Sequence, residues 1–530
     1  MSMEKNIRQN SPKSIIKSMS VISSGTLTSR ILGFFRDIIL AKFFGTGFHA
    51  DAFFVALRIP NLFRDLVGEG AANSAVVPAF SEYLERERRE HFWRFVSVVL
   101  VLAMMVLTVI TLAGIFLAPL IVRVLAPGFI ADPPKLAMTV RLTKMIFPYL
   151  VFIGMTAYSM AILYTFRQFV VPAFSPCLLN ISIIISALVS VKYLDEPVYG
   201  LAAGVLVGGF LQLLVQIPPL LKTGYHFQRP ATLRHPGVMK IGRLLLPRLV
   251  GAGVYQLTIF VDTFCASLAA IVGAGGISAI YYANRIIQLP MGVFGLALAS
   301  AVLPTLSALA ARKETGRLRE TLLFAVENIL FIMAPVSVIT MVLSRPIIRI
   351  LFERGAFDQY STAITSSALL FYAIGLFAFG GIKILVSAFH AMQDTKTPVK
   401  IAAGSLLINI VLNILLMFPL KIAGIALASS IAALVNFSVL FWVMNRRIGG
   451  VFAAFRPFIF RVVLAAFASG LVTRWLWPVS FGLYDVLRLI MVPLAGTAVY
   501  GAVCYYLEVP QARTVVQWIK EQVLRIRHEG

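Results

Sequence analysis

Arginines inside apolar helical runs are the residues most able to do chemistry in this chain. Residues 28–81 (TSRILGFFRDIILAKFFGTGFHADAFFVALRIPNLFRDLVGEGAANSAVVPAFS) are apolar enough to cross a bilayer twice. They nevertheless hold Arg30, Arg36, Asp37, Lys42, Asp51, Arg58, Arg64, Asp65 and Glu69. An ionisable group at membrane depth is costly, so it normally faces a polar cavity and acts there. Arg30 and Arg36 are six residues apart, about 240° around a helix and ~9 Å along it. Arg58 and Arg64 repeat that spacing around Pro60 and Asn61, and the proline bends the helix into a wall around a cavity. In the second half ANRIIQLP supplies Arg285, with Asn284, Gln288 and Pro290 beside it.

A guanidinium stays protonated and grips phosphate with a planar fork, whereas an ammonium is a point charge. Several such groups sharing one cavity repel each other unless an anion compensates them, and a phosphate or pyrophosphate fits. The competing reading is a structural network in which each arginine pairs with a nearby acid, Arg36 with Asp37 or Asp51 and Arg64 with Asp65 or Glu69. Neighbours in sequence do not face each other on a helix, which makes Arg36–Asp37 and Arg64–Asp65 poor pairs.

A second constellation is smaller. Asp262 interrupts the apolar run LTIFVDTFCASL; Asn409 and Asn413 share a helical face in LLINIVLNILL; Ser429 lies in the following span. A carboxylate with amide and hydroxyl oxygens offers hard ligands for Na⁺ or a proton relay. Interhelical hydrogen bonding by the asparagines is the alternative.

These residues need an apolar scaffold, and the composition supplies one. The 530 residues are 59% hydrophobic and 13% charged, with a mean hydropathy of +0.87; soluble domains carry about 25% charged residues. Runs of about 20 apolar residues recur along the chain, long enough to span as helices. The short alternating segments of a β-barrel are absent. The expected fold is an all-α polytopic membrane protein. About fourteen spans are expected, over 17–44, 50–80, 95–125, 137–165, 172–191, 198–221, 241–271, 276–307, 322–351, 361–390, 398–418, 422–444, 457–477 and 485–507.

Basic residues fall on alternate loops. One side takes the N-terminal tail (Lys5, Arg8, Lys13, Lys17), the run ERERRE at 85–90, the loop from Lys222 to Lys240, Arg312 to Arg319, Lys396/Lys400, Arg446/Arg447 and the C-terminal tail. Loops such as GTGFHA, APGFIADPP, GAGG and WPVSFGLYD take the other. This bias predicts a multi-pass protein with both termini in the cytoplasm. It also accounts for most of the net charge of +24 without nucleic acid. Cys177, Cys265 and Cys504 fall inside predicted spans as small buried residues. The six histidines show no metal-ligand spacing, and no Walker-type loop is present.

An internal repeat organises the chain. SAVVPAFS at 74–81 returns as SAVLPTLS at 300–307, placing Pro78 and Pro304 226 residues apart. The same spacing separates Arg123 from Arg349 and Pro172 from Pro398. ALRI at 56–59 returns as ANRI at 283–286. Six spans per repeat give both halves one orientation, as in transporters whose site lies between two bundles. The expected divisions are an N-lobe over 1–228, a C-lobe over 229–452, and two further spans with a tail over 453–530.

Several stretches together carry a family likeness: SRILGFFRD, ADAFFVALRIPNLFRDLVGEGA, PAFSPCLLNI, YYANRIIQLPMGVFGLAL and QDTKTPVKIA. They resemble the MurJ/MviN family, the lipid II flippases of bacterial peptidoglycan synthesis, within the multidrug/oligosaccharidyl-lipid/polysaccharide exporter superfamily. The resemblance implies fourteen helices, two six-helix lobes, a central cationic cavity and a groove for a polyprenyl tail along the last two helices. It implies that Arg30, Arg36, Arg64 and Arg285 are the critical arginines, that Asp51 is a functional acid near the outer gate, and that Asp262, Asn409, Asn413 and Ser429 match a sodium site. Position 413 is Asn where some members have Asp, and Asn284 and Gln288 stand where others carry acids.

The expected function is alternating-access flipping of lipid II in the bacterial cytoplasmic membrane. Its head group would bind on Arg36, Arg64 and Arg285, with Arg30, Arg58, Asn61 and Asp51 around it. No cofactor is required beyond a Na⁺ coupling ion. The expected partners are lipid II, membrane lipids and other cell-wall synthesis proteins. Rival readings are an exporter of another undecaprenyl-pyrophosphate-linked glycan, a drug/cation antiporter, and a membrane enzyme of lipid-phosphate metabolism. The enzyme would need clustered carboxylates or a nucleophile at the membrane surface, and the short outer loops offer neither.

Overall fold

A computed structural model of the chain describes residues 12–64, 75–229, 232–479 and 484–529. Asp65, Glu69, Gly68, Gly70 and the tail residues Lys5 and Arg8 lie outside the described residues, as do the Lys13 and Lys17 side chains and part of the WPVSFGLYD loop. Every regular element among the described residues is helical. The chain divides into two compact units: residues 1–268 with 354–357, and residues 269–353 with 358–530.

The first unit comprises α1 (Pro12–Phe44), α2 (Phe48–Phe63), α3 (Val77–Arg86), α4 (Arg89–Leu125), α5 (Pro133–Ile146), α6 (Tyr149–Thr165), α7 (Val170–Tyr193), α8 (Val198–Leu214), α9 (Ile217–Lys222) and α10 (Pro236–Ser267). Small residues let α7 and α8 pack closely. A Cβ on Gly204 of α8 would meet the Ser186 side chain of α7 at 2.7 Å, and one on Gly200 would meet Ser190 at 2.2 Å. The two backbones therefore approach closely enough for Ser182 Oγ to donate to the Gly204 carbonyl at 2.8 Å. Close approach of this kind replaces the hydrophobic drive that lipid cannot supply. At one end of the unit, Phe80, Phe92, Trp93, Phe95 and Tyr158 form an aromatic cluster. Phe80 meets Phe95 edge-on at 5.4 Å, and Trp93 stacks on Phe166 at 5.4 Å. Residues 85–90, between and within the ends of α3 and α4, are all exposed.

The second unit comprises α11 (Ala269–Val272), α12 (Gly276–Pro290), a π-helical turn (Met291–Gly295), α13 (Leu296–Ala311), α14 (Thr315–Val342), α15 (Ser344–Phe352), α16 (Gln359–Ile374), α17 (Leu376–Ala391), α18 (Lys396–Leu420), α19 (Ile422–Ile448), α20 (Val451–Val479), α21 (Asp485–Tyr506) and α22 (Pro510–Glu529). The QDTKTP turn before α18 is pinned by Asp394. Its carboxylate accepts from Thr397 N–H at 2.9 Å, Thr397 Oγ1 at 2.6 Å and Lys396 N–H at 3.1 Å, and pairs with Arg447 at 2.6 Å. Burial alone would raise this carboxyl. The Thr397 and Arg447 hydrogen bonds and the Arg447 charge outweigh it and hold the pKa down to about 2.

Ten helical stretches among the described residues are long and apolar enough to cross a membrane. An eleventh is the pair α16–α17, bent by 45°. The protein is therefore a multi-pass α-helical membrane protein, and the expected count of fourteen is not reached on length and composition. The expected spans over 17–44, 50–80 and 241–271 do not pass. The first of these falls on α1, which carries Arg30, Arg36, Asp37 and Lys42, and the second on α2, which is only 16 residues long. The repeat is visible in the helix boundaries: α4 and α14 begin 226 residues apart, at Arg89 and Thr315, as do α7 and α18, at Val170 and Lys396. All three cysteines are buried and free.

Candidate functional site

The best-defined polar centre in the first unit is Arg36 on α1. Its Nε and Nη2 donate to one oxygen of Asp37, at 3.0 and 2.8 Å, and its Nη1 donates to Asn180 Oδ1 on α7 at 3.0 Å. Arg36 is 9% exposed and Asp37 is fully buried. This corrects the expectation that neighbouring residues make a poor pair. Their Cβ directions diverge, but the guanidinium on its long stem folds back to the adjacent carboxylate. At 2.8 Å in a desolvated setting such a pair is held by strong charge-assisted bonds.

Asn180 in turn is oriented by Ser29 on α1. Its Nδ2 donates to the Ser29 carbonyl at 3.1 Å. The local sequence explains why α7 can do this. Pro176 has no N–H for the carbonyl four residues earlier, and Ser175 Oγ donates to that Pro172 carbonyl at 3.3 Å instead. One turn beyond the proline, Asn180 reaches across to α1.

Asp51 is held by a lysine. It lies on α2, 2% exposed, and accepts from Lys135 Nζ on α5 at 2.8 Å. Lys135 is also buried, lies over the Phe129 ring at 4.4 Å, and starts a helix whose first turn is capped by Asp132. A buried lysine needs such a partner, because an unpaired charge there is costly. Sequence reading missed Lys135 because it directly follows a turn (APGFIADPP) assigned to the weakly charged side. A lone basic residue beside an otherwise acidic outer loop was the available signal.

The other candidate arginines are distributed over both units. Arg30 on α1, Arg58 and Asn61 on α2, and Arg64 just beyond α2 are half-buried in the first unit. Arg285, on α12, is half-buried in the second unit. It precedes Pro290 and the π-helical turn, a combination found at bends and functional hinges. Lys383 is a further charge that sequence reading passed over; it is an exposed side chain on the otherwise apolar α17.

The second constellation draws on both units. Asn409 and Asn413 on α18 are fully buried, with Asn413 Nδ2 donating to Asn409 Oδ1 at 3.1 Å and Asn409 Nδ2 donating to Ser429 Oγ on α19 at 3.2 Å. These three join α18 to α19 within the second unit. Asp262, 8% exposed on α10, belongs to the first. The oxygens of the amide-hydroxyl chain are of the hard kind that suit Na⁺. Among the described residues no group of three or more His, Cys, Asp or Glu is arranged to hold a metal ion.

The family described as Lipid II flippase MurJ matches residues 40–492. A protein of Vibrio cholerae named probable lipid II flippase MurJ is 34% identical over 472 residues, covering 87% of this chain and 88% of its own. One of Burkholderia cenocepacia named lipid II flippase MurJ is 35% identical over 442 residues, covering 82% and 84%. A solved structure of lipid II flippase MurJ in an inward closed conformation aligns with a TM-score of 0.77 at 29% identity, over 93% of this chain and 99% of that one. An inward-facing multidrug resistance MATE family transporter of the MOP superfamily, 16% identical with a TM-score of 0.66, shares the fold. With a match of this extent and a helical membrane scaffold to go with it, the chain belongs to the MurJ family, a family of flippases and not of enzymes.

Proposed function

We propose that this chain moves lipid II from the inner to the outer leaflet of the bacterial cytoplasmic membrane by alternating access. The observation that carries the proposal is a buried guanidinium, Arg36, fixed by Asp37 and by Asn180 of the membrane-spanning α7 in a MurJ-family chain. Asp37 holds that guanidinium through a single oxygen. A diphosphate offers more oxygens and more charge, so it can displace or supplement the carboxylate when the head group enters. Arg30, Arg64 and Arg285 complete the anion site, with Arg58, Asn61 and Asp51 at its edge. The polyprenyl tail stays in the bilayer along α20 and α21.

Basic loops place both termini in the cytoplasm. Resetting of the empty, cationic carrier draws on the membrane potential, which is worth about 2.3 kcal/mol per charge per 100 mV, or on Na⁺ held by Asp262, Asn409, Asn413 and Ser429. Other cell-wall synthesis proteins are the proposed partners beyond the lipid.

The test is depletion of the native protein followed by rescue with variants, reading the fraction of lipid II exposed on the outer leaflet. Arg36→Ala and Arg285→Ala, expressed at normal levels, are expected to leave lipid II on the inner leaflet. Full rescue by both would overturn the assignment of the site.

A further inference from the structure

The last helix, α22, takes no part in the site described above, and its placement is built rather than loose. The turn that joins it to α21 centres on Glu508, whose backbone is left-handed at φ 59°. Arg461 of α20 donates to the Glu508 carbonyl at 3.4 Å, and Arg513 of α22 pairs with its carboxylate at 2.5 Å. Val509, Gln511 and Ala512 are buried, and Gln511 Nε2 donates to Glu327 on α14 at 2.9 Å. The first turn of α22 is thus fastened to the second unit, and its direction of departure is set.

Beyond that turn the helix has two faces. Going round from Ala512, the residues Val515, Val516 and Trp518 fall on one side, and Arg513, Gln517, Lys520 and Glu521 on the other. Val515 and Trp518 are 47% and 60% exposed. Among the described residues, nothing covers Val515 and Trp518. The span α21 ends at Tyr506 and α22 starts at Pro510, so α22 begins at the level where the bilayer ends. Tyr505 and Tyr506 are both exposed at that point, the position of an aromatic belt. A tryptophan on the apolar face with basic residues on the polar face is the pattern of a helix lying in the headgroup plane.

We infer that α22 is an interfacial helix that docks its Val515–Trp518 face into the leaflet at which α21 ends, with anionic phospholipid headgroups engaging Lys520. The occupant of the apolar face is lipid, because the helix emerges at the bilayer surface and its sequence carries four Lys and Arg residues against two Glu.

The experiment uses the full chain in nanodiscs of phosphatidylcholine, with and without phosphatidylglycerol, carrying a spin label at position 515, 518, 517 or 521 in turn. Labels at 515 and 518 are expected to be reached by oxygen in preference to a water-soluble nickel chelate, and labels at 517 and 521 the reverse. Lys520→Gln is expected to shift the ratio of docked to undocked helix by about five-fold, and only in the anionic discs. Water-exposed labels at all four positions in both lipids would overturn the inference, and would leave the face to a protein partner. Because the label positions report depth and not transport, this outcome is independent of whether the chain flips lipid II.

Discussion

Lys135 Nζ and Asp51 Oδ2 lie 2.8 Å apart, joining α5 to α2 through an ion pair in which both side chains are almost wholly buried. The relationship fixes the end of α2 that carries the candidate acid. Removing one member of such a pair strands a buried charge and costs about 3–5 kcal/mol, whereas removing both is far milder. Lys135→Met and Asp51→Asn are each expected to lower the thermal unfolding midpoint of the purified protein, and the double variant to recover most of the loss. Additive losses in the double variant would show that the pair is not coupled.

Arg36 and Asn180 allow the positioning of the guanidinium to be separated from its charge. Asn180→Ala removes the α7 acceptor while leaving the Arg36–Asp37 pair. Rescue of a depleted host by Asn180→Ala is expected to be partial, and by Arg36→Ala absent. Arg36→Lys keeps the charge but not the fork, and is expected to fall between them. Rescue is scored against protein level, so that loss of the folded chain is not mistaken for loss of transport.

The α7–α8 interface makes a packing prediction. A methyl at Gly204 would lie 2.7 Å from Ser186 and 3.2 Å from the Ile183 backbone, so Gly204→Ala is expected to destabilise the protein by about 1–3 kcal/mol. Gly242→Ala, where a Cβ meets nothing within 4 Å, serves as the control and is expected not to lower the unfolding midpoint, since alanine there favours the helix. Ser182→Ala removes one interhelical hydrogen bond, worth about 0.6 kcal/mol in a membrane.

Asp394 gives an acid-dependent prediction. Its carboxyl, ordinarily near 3.8, is held down to about 2 in the folded protein. A depressed carboxylate pKa adds stability that is complete above the unfolded value and is lost as pH falls through the folded one. The unfolding midpoint should therefore fall between about pH 4 and pH 2, and the Asp394→Asn variant should lose that part of the dependence. Between pH 5 and pH 8 Asp394 contributes no slope. An unchanged acid limb in Asp394→Asn would refute its role.

The fold was largely legible in the sequence and the site only partly so. Apolar runs and the recurrence of Pro78 as Pro304 pointed to duplicated helical bundles, because both signals are local and periodic. The span count was not reached, because α1 carries the charges that make it interesting and so fails a test of apolarity, and α2 is only 16 residues long. Asp37 shows a second limit. The rule that adjacent residues diverge concerns the first bond of the side chain, and an arginine has enough length to escape it. The partners of Lys135 and Asn180 could not be read for another reason: they are 84 and 144 residues away, and no spacing rule reaches across that distance.

The π-helical turn at Met291–Gly295 has a consequence for how the two halves came to differ. Arg58 and Arg285 are 227 residues apart, whereas Pro78 and Pro304 are 226 apart, so one residue was gained or lost between those landmarks. The irregular stretch beside Pro290 falls within that interval. A helix already out of its regular ladder can accept an insertion or deletion without rotating everything downstream, which would explain how the duplicated copies drifted in length by one residue while their later helices stayed in step.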